Sequence, residues 1–196
     1  MALSTFGGLK TAVASFLNRS DLTASIPDFV VLAEADIRRD VRVQAMEAVA
    51  TGTLTGETLA HPTRYIEARR LSLDGHVYEY RTPADYTELV RVSSQDTVYT
   101  SIGESFYILN GANGDSYALT YWAGFAAFSA DADTNWLLAN APDVYLFGAL
   151  RYAAFFMADD AAMTRNLAMY LSAAKRVSSQ EHRSAYSGST LTVRAR

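Results

Sequence analysis

The sequence predicts an α+β protein, mainly α-helical: a helical-bundle core with an inserted antiparallel β region and an extended C-terminal arm. Three observations lead there. Apolar residues recur at helical spacing near both ends of the chain, within residues 5–43 and 134–186. Between them, from about 45 to 123, that period disappears, and glycine, threonine and tyrosine become frequent. The last stretch, residues 187–196, is small and polar and ends in alternating Leu191 and Val193 against Arg194 and Arg196. The division reads as one domain over residues 1–186 followed by the arm. With 196 residues, 49% hydrophobic and 19% charged, the composition is globular and long enough to bury a core.

The first helix is predicted over residues 5–18, with Phe6, Leu9, Val13, Phe16 and Leu17 on one side, and "NRSD" closes it. A second helix opens at "SIPD". Ser25 is placed as its N-cap, Pro27 lies in the first turn, and Asp28 completes a Ser-x-x-Asp capping pattern. Ile26, Phe29, Val30, Ala33, Ile37 and Val41 then form a single apolar stripe. Within the β region, Asp74-Gly75 in "RYIEARRLSLDGHVYEYRT" is the signal of a type I′ hairpin turn. Thr82 and Pro83 start one or two helical turns. Further short strands follow, punctuated by Gly103 and by "NGANGDS", with bulky residues alternating at Tyr107-Leu109 and Tyr117-Leu119-Tyr121.

The last third is helical again. Thr134 or Asn135 caps a short turn, and Pro142-Asp143 begins a helix that is apolar on nearly all sides. From Val144 to Ala158 its only ionisable group apart from tyrosines is Arg151. A membrane span needs about 20 predominantly apolar residues. This run is cut by Asn140, Pro142 and Asp143, then by Asp159 and Asp160, so no membrane association is expected. Such a helix is buried on every side. Two arrangements remain open: the subunit's own helices enclose it, or Phe147, Tyr152, Phe155 and Phe156 are shared with a neighbour. In either case Arg151 requires a carboxylate partner, because an unpaired buried charge is costly. A final long helix carries Met163, Leu167, Tyr170, Leu171, Ala174 and Val177 on one stripe.

Composition also excludes functions. The chain has no cysteine, hence no disulfide scaffold or thiol chemistry. Its net charge is −4, and its lysines are Lys10 and Lys175, not the footprint of a protein that grips nucleic acid. "DADTNW" (131–136) begins like a calcium loop, but Trp136 stands where glycine is needed and Pro142 where glutamate is needed. "GGLKT" is a helix start and not a phosphate loop. His61, His76 and His182 have no second ligand at metal-binding spacing. Asp159-Asp160 reads as capping, and no nucleophile elbow exists. The expectation is therefore no enzyme, and no catalytic, metal-binding or cofactor-binding residue.

Three stretches, in matching order over most of the chain, resemble the adaptor (head-tail connector) proteins of tailed bacteriophages. They are "LKTAVASFLNRSDLTASIPDFVVLAEADIRRDVRV" (9–43), "LAHPTRYIEARRLSLDG" (59–75) and "TNWLLANAPDVYLFGAL" with the helix pair after it. At the second stretch that family usually writes Leu-x-x-Pro-x-Asp-Tyr, and here Thr63 and Arg64 replace the aspartate. The resemblance implies a structural protein of the virion neck, made in the host cytoplasm. It would form a ring, usually dodecameric, below the portal, link capsid to tail tube or nozzle, and line the channel for passing double-stranded DNA. An acidic wall would repel that DNA rather than bind it.

On this reading Phe147, Arg151, Tyr152, Phe155 and Phe156 lie at the subunit interface. Leu191, Val193, Arg194 and Arg196 form a portal-binding arm that adds as a strand to a partner's exposed edge. Two rivals are another neck or tail-completion protein of the virion, and a small polysaccharide hydrolase hosted by the tyrosine-rich region. The hydrolase would need two carboxylates about 5 to 10 Å apart in a pocket.

Overall fold

The computed structural model describes residues 3–186, with side chains through residue 179. In chain order the elements are α1 (Phe6–Leu17), α2 (Ile26–Asp40), β1 (Glu47–Thr53), β2 (Thr58–Ala60), β3 (Tyr65–Leu73), β4 (His76–Tyr80), α3 (Pro83–Arg91), β5 (Val98–Ile102), β6 (Ser105–Ile108), β7 (Ser116–Ala123), α4 (Trp136–Asn140), α5 (Pro142–Phe156) and α6 (Asp160–Tyr186). They fall into two compact units. One comprises the residues up to 45 with those from 125 onward, and the other residues 46–124.

In the first unit the Thr5 hydroxyl accepts from Gly8 N–H and caps α1. The next free donors, Phe6 and Gly7 N–H, bond the carbonyls of Asp133 and Asp131 at 2.8 and 2.9 Å. Gly7 is needed there, since a Cβ would lie 3.1 Å from that of Asp131. The predicted stripe of α2 is buried throughout. Its start differs from expectation: the Ser25 hydroxyl makes no capping bond. Ser25 is itself helical in φ and ψ, and a turn from Leu22, whose carbonyl accepts from Ser25 and Ile26 N–H, holds the entry instead.

α5 packs against α1, α2, α4 and α6 of its own chain. This explains how so apolar a helix lives in a protein in which no described helix is long and apolar enough to cross a membrane. α5 lies close on α2 at Gly148, where a Cβ would sit 3.0 Å from the Ala33 Cβ. On α6 the buried face runs through Asn166, Tyr170, Ala173 and Ala174. Leu171, placed on the predicted stripe, is exposed.

The second unit overturns the expected fold class. Its strands form one seven-stranded sheet, ordered β1-β7-β3-β4-β5-β6-β2 and curled into a half-barrel, so the architecture is not a helical bundle with a small β insertion. Nor is the sheet wholly antiparallel, because β4 and β5 pair in parallel. The hairpin is present, with Asp74 and Gly75 both at positive φ as a type I′ turn requires. Its two strands, however, pair only from Leu71↔Tyr78 to Leu73↔His76. The rest of β3 pairs with β7, far along the chain, through two register shifts that bend the strand and help curl the sheet.

Leu54, Leu71, Leu73, Tyr78, Tyr99, Phe106, Ile108, Leu119 and Tyr121 fill the core of this unit. On β6 the inward residues are Phe106 and Ile108, so Tyr107 points outward. α3 runs two and a half turns at 3.6 residues each, capped by the Thr82 hydroxyl, which accepts from Asp85 N–H.

Candidate assembly interface

The five residues singled out on α5 separate into two groups. Arg151 and Tyr152 turn inward, toward α2. Asp36, mostly buried in the last turns of α2, accepts from the Arg151 guanidinium, from Arg39, and from the Tyr152 hydroxyl at 2.6 Å. Arg151 also lies over the rings of Tyr152 and Tyr170, with centroids at 4.5 and 5.0 Å. Tyr170 donates to Asp40 at 3.0 Å. Burial and this bond to a carboxylate both push its hydroxyl well above the usual tyrosine range. The partner that Arg151 requires is therefore within the subunit, and these groups bind α2, α5 and α6 together.

Phe155 and Phe156 face solvent at the end of α5, 70% and 62% exposed. The Phe156 ring contacts that of Phe29 at 5.7 Å, and Leu32, one turn along α2 from Phe29, is 46% exposed. Phe147 is half-buried and lines a groove of about 410 Å³ with Phe16, Leu17, Leu150 and Met157 on one part and Asp159, Arg165 and Asn166 on the other. Phe16, assigned to the core stripe by its spacing, is 65% exposed at the rim. Sequence reasoning missed Leu32 and Phe16 as surface residues. For Leu32 a signal was present, since it is apolar yet lies off the α2 stripe.

Glu34, on α2, accepts from Phe128 N–H and lies near the Tyr145 hydroxyl, which takes a bond from Asn135 at 2.8 Å. Desolvation raises the Glu34 carboxyl to about 7. The residues of the calcium-like stretch go separate ways. Asp131 pairs with Lys10 at 2.5 Å, Asp133 accepts from Ser129 and Ala130 N–H, and Asn135 caps α4. Asp159 accepts from Ala162 N–H and caps α6. Among the described residues no group of three histidine, aspartate or glutamate side chains could hold a metal ion.

The sheet unit holds a cleft of about 900 Å³, lined by His61, Tyr65, Tyr80, Tyr99, Ser101 and neighbouring side chains of β3 and β4. His61 bonds Ser101 Oγ at 3.0 Å and packs on Tyr65 and Phe106, and burial lowers its pKa. The carboxylates at this cleft are Glu67 and Glu79. Both are exposed, and Glu79 is paired with Arg81 at 3.0 Å. His76 is exposed on the hairpin, and the side chain of His182 lies outside the described residues, as do Leu191, Val193, Arg194 and Arg196.

The helical unit is thus braced inside by a buried ionic cluster and turns two phenylalanines of α5 to water. The chain belongs to the SU10 adaptor protein family, whose model matches residues 4–194. This is a phage adaptor family, so the protein is a structural adaptor and a component of the virion. No curated protein matches the chain significantly.

Proposed function

We propose that the protein is the head-tail adaptor of a tailed phage, assembling as a ring below the portal and linking capsid to tail. The observation that carries this reading is the exposed pair Phe155 and Phe156. Solvent-facing phenylalanines beside Phe29 and Leu32 give each subunit an apolar anchor of the kind that dominates interface energetics. A contact between two different patches on successive copies closes into a ring when its rotation allows. The apolar part of the groove, formed by Phe16, Leu17, Phe147, Leu150 and Met157, offers such an anchor a receptor. Arg151 and Tyr152 support the interface indirectly, by holding α5 to α2. A net charge of −4 suits a channel wall past which DNA must slide.

The test is native mass measurement with and without purified portal, followed by electron cryo-microscopy of the particle. The reading requires a multisubunit ring, twelve-fold by the family resemblance, at the portal's lower face. A position on the tail side, or a single copy, would instead establish a tail-completion role.

A further inference from the structure

β1 forms one margin of the sheet. Its seven residues pair with β7 in unbroken register, from Glu47↔Trp122 to Thr53↔Ser116. Its outer side takes no strand or backbone hydrogen-bond partner among the described residues. Natural sheets blunt their margins by shortness, by lysine or proline, or by a bulge. The opposite margin obeys this rule, since β2 has three residues. β1 uses none of these devices. It reads EAVATGT, Glu47 is its one charged residue, and Val49 is 63% exposed. On the inner face Ala48 and Ala50 lie partly buried against the core. They offer two methyl groups where the inner strands place Leu71, Leu119 and Tyr121.

We propose that this margin seats residues 189–194 of a neighbouring copy as an antiparallel eighth strand. The order Ser-Thr-Leu-Thr-Val-Arg fits one register. Residues directly opposite in an antiparallel pair share a face. With Leu191 opposite Ala50 and Val193 opposite Ala48, both branched side chains cover the alanines and extend the inner core. The same register sets Thr190 against Thr51, Thr192 against Val49, and Arg194 against Glu47. Threonine facing threonine is a favourable cross-strand pair, and Arg194 would join a carboxylate, Glu47, that already pairs with Arg69 at 2.8 Å. Slipped by one residue, Leu191 and Val193 would face water. Run in parallel, Arg194 would lie toward Thr53 and away from Glu47. Ser187 and Gly188 remain as the link from α6. The exposed edge that such a strand needs thus exists on this chain, and a second copy brings the segment to it. The second copy is supplied by the ring reading, on which this inference rests.

The cysteine-free chain permits a direct test. Cα separations of about 4.5–5.5 Å across an antiparallel pair are within disulfide range. Full-length chains carrying Ala48→Cys are mixed with chains carrying Val193→Cys, and Val49→Cys with Thr192→Cys. The mixtures are brought to the assembled state, verified by native mass, and oxidised. At least one of the two mixtures is expected to yield covalent dimers on a non-reducing gel, at least tenfold above the control of Val49→Cys with Val193→Cys, whose residues face opposite sides. Assembled rings in which neither pair exceeds the control would overturn the strand pairing and leave the ring intact. If no ring forms at all, the ring reading fails by itself. The pairing is then decided by oxidising full-length Ala48→Cys protein with a peptide of residues 187–196 carrying Val193→Cys. Cross-linking above the Val49→Cys control upholds the seat, and none refutes it.

Discussion

Arg151, in the middle of α5, donates to the carboxylate of Asp36 near the end of α2, a side chain that also holds Arg39 and Tyr152. Asp36 is 9% exposed and accepts from all three donors. Removing it leaves a guanidinium in a largely dry site. Asp36→Ala is therefore expected to destabilise the helical unit by roughly 3–5 kcal/mol in urea unfolding. Replacing both partners, as Asp36→Leu with Arg151→Met, should recover more than half of that loss, because two apolar groups leave no charge unpaired. A double variant as unstable as the single one would show that the cluster acts through shape rather than charge.

Glu34 carries a pH signature. Its proton is held up to about 7 in the folded chain, against an ordinary value of 4.5. Between those values the folded state binds more protons than the unfolded state. Stability from this group is therefore full below about pH 4.5, falls as pH rises, and levels off above about 7. Glu34→Gln should remove this slope and raise stability at pH 8 by on the order of 1–2 kcal/mol, the side chain being partly open to water. Melting curves of both proteins at pH 5 and pH 8 measure the effect, and parallel curves would contradict it.

Gly148→Ala tests the approach of α5 to α2. Alanine improves helix propensity by about 1 kcal/mol. The new methyl would nevertheless meet the Ala33 Cβ at 3.0 Å, and neither side can rotate away. Net destabilisation of about 1–2 kcal/mol is expected, with a larger loss for Gly148→Val. The pair Ala33→Gly with Gly148→Ala should restore part of it.

Phe155→Ser with Phe156→Ser addresses assembly rather than folding. Both rings are largely exposed, so the melting temperature should fall by only a few degrees, mostly through the lost contact of Phe156 with Phe29. Ring formation or portal binding should weaken at least tenfold, since buried aromatic anchors contribute about 2 kcal/mol or more each at hot spots. Unchanged assembly by native mass would place the interface elsewhere.

Local chemistry determined much of what the sequence revealed. The α2 stripe, the Asp74-Gly75 turn, the Thr82 cap and the boundaries of α5 rest on interactions within a few residues, where period and cap residues act directly. So does the need of Arg151 for a carboxylate, which follows from the cost of burying charge. The identity of that carboxylate was not legible, because Asp36 sits on the mixed face of a helix more than a hundred residues earlier and only packing brings it near. The size of the sheet was hidden for the same reason. β1, with alanine, threonine and glycine, lacks a strong strand pattern, and it is a strand because β7 pairs with it along its full length. β3 likewise spends most of its length on β7 rather than on the hairpin partner its turn announces. The tertiary structure also decided that Phe155 and Phe156 face water while Phe29 and Tyr145 do not. Hydrophobicity states that a side chain will be buried, whereas the geometry of packed helices decides whether its own chain or another protein buries it.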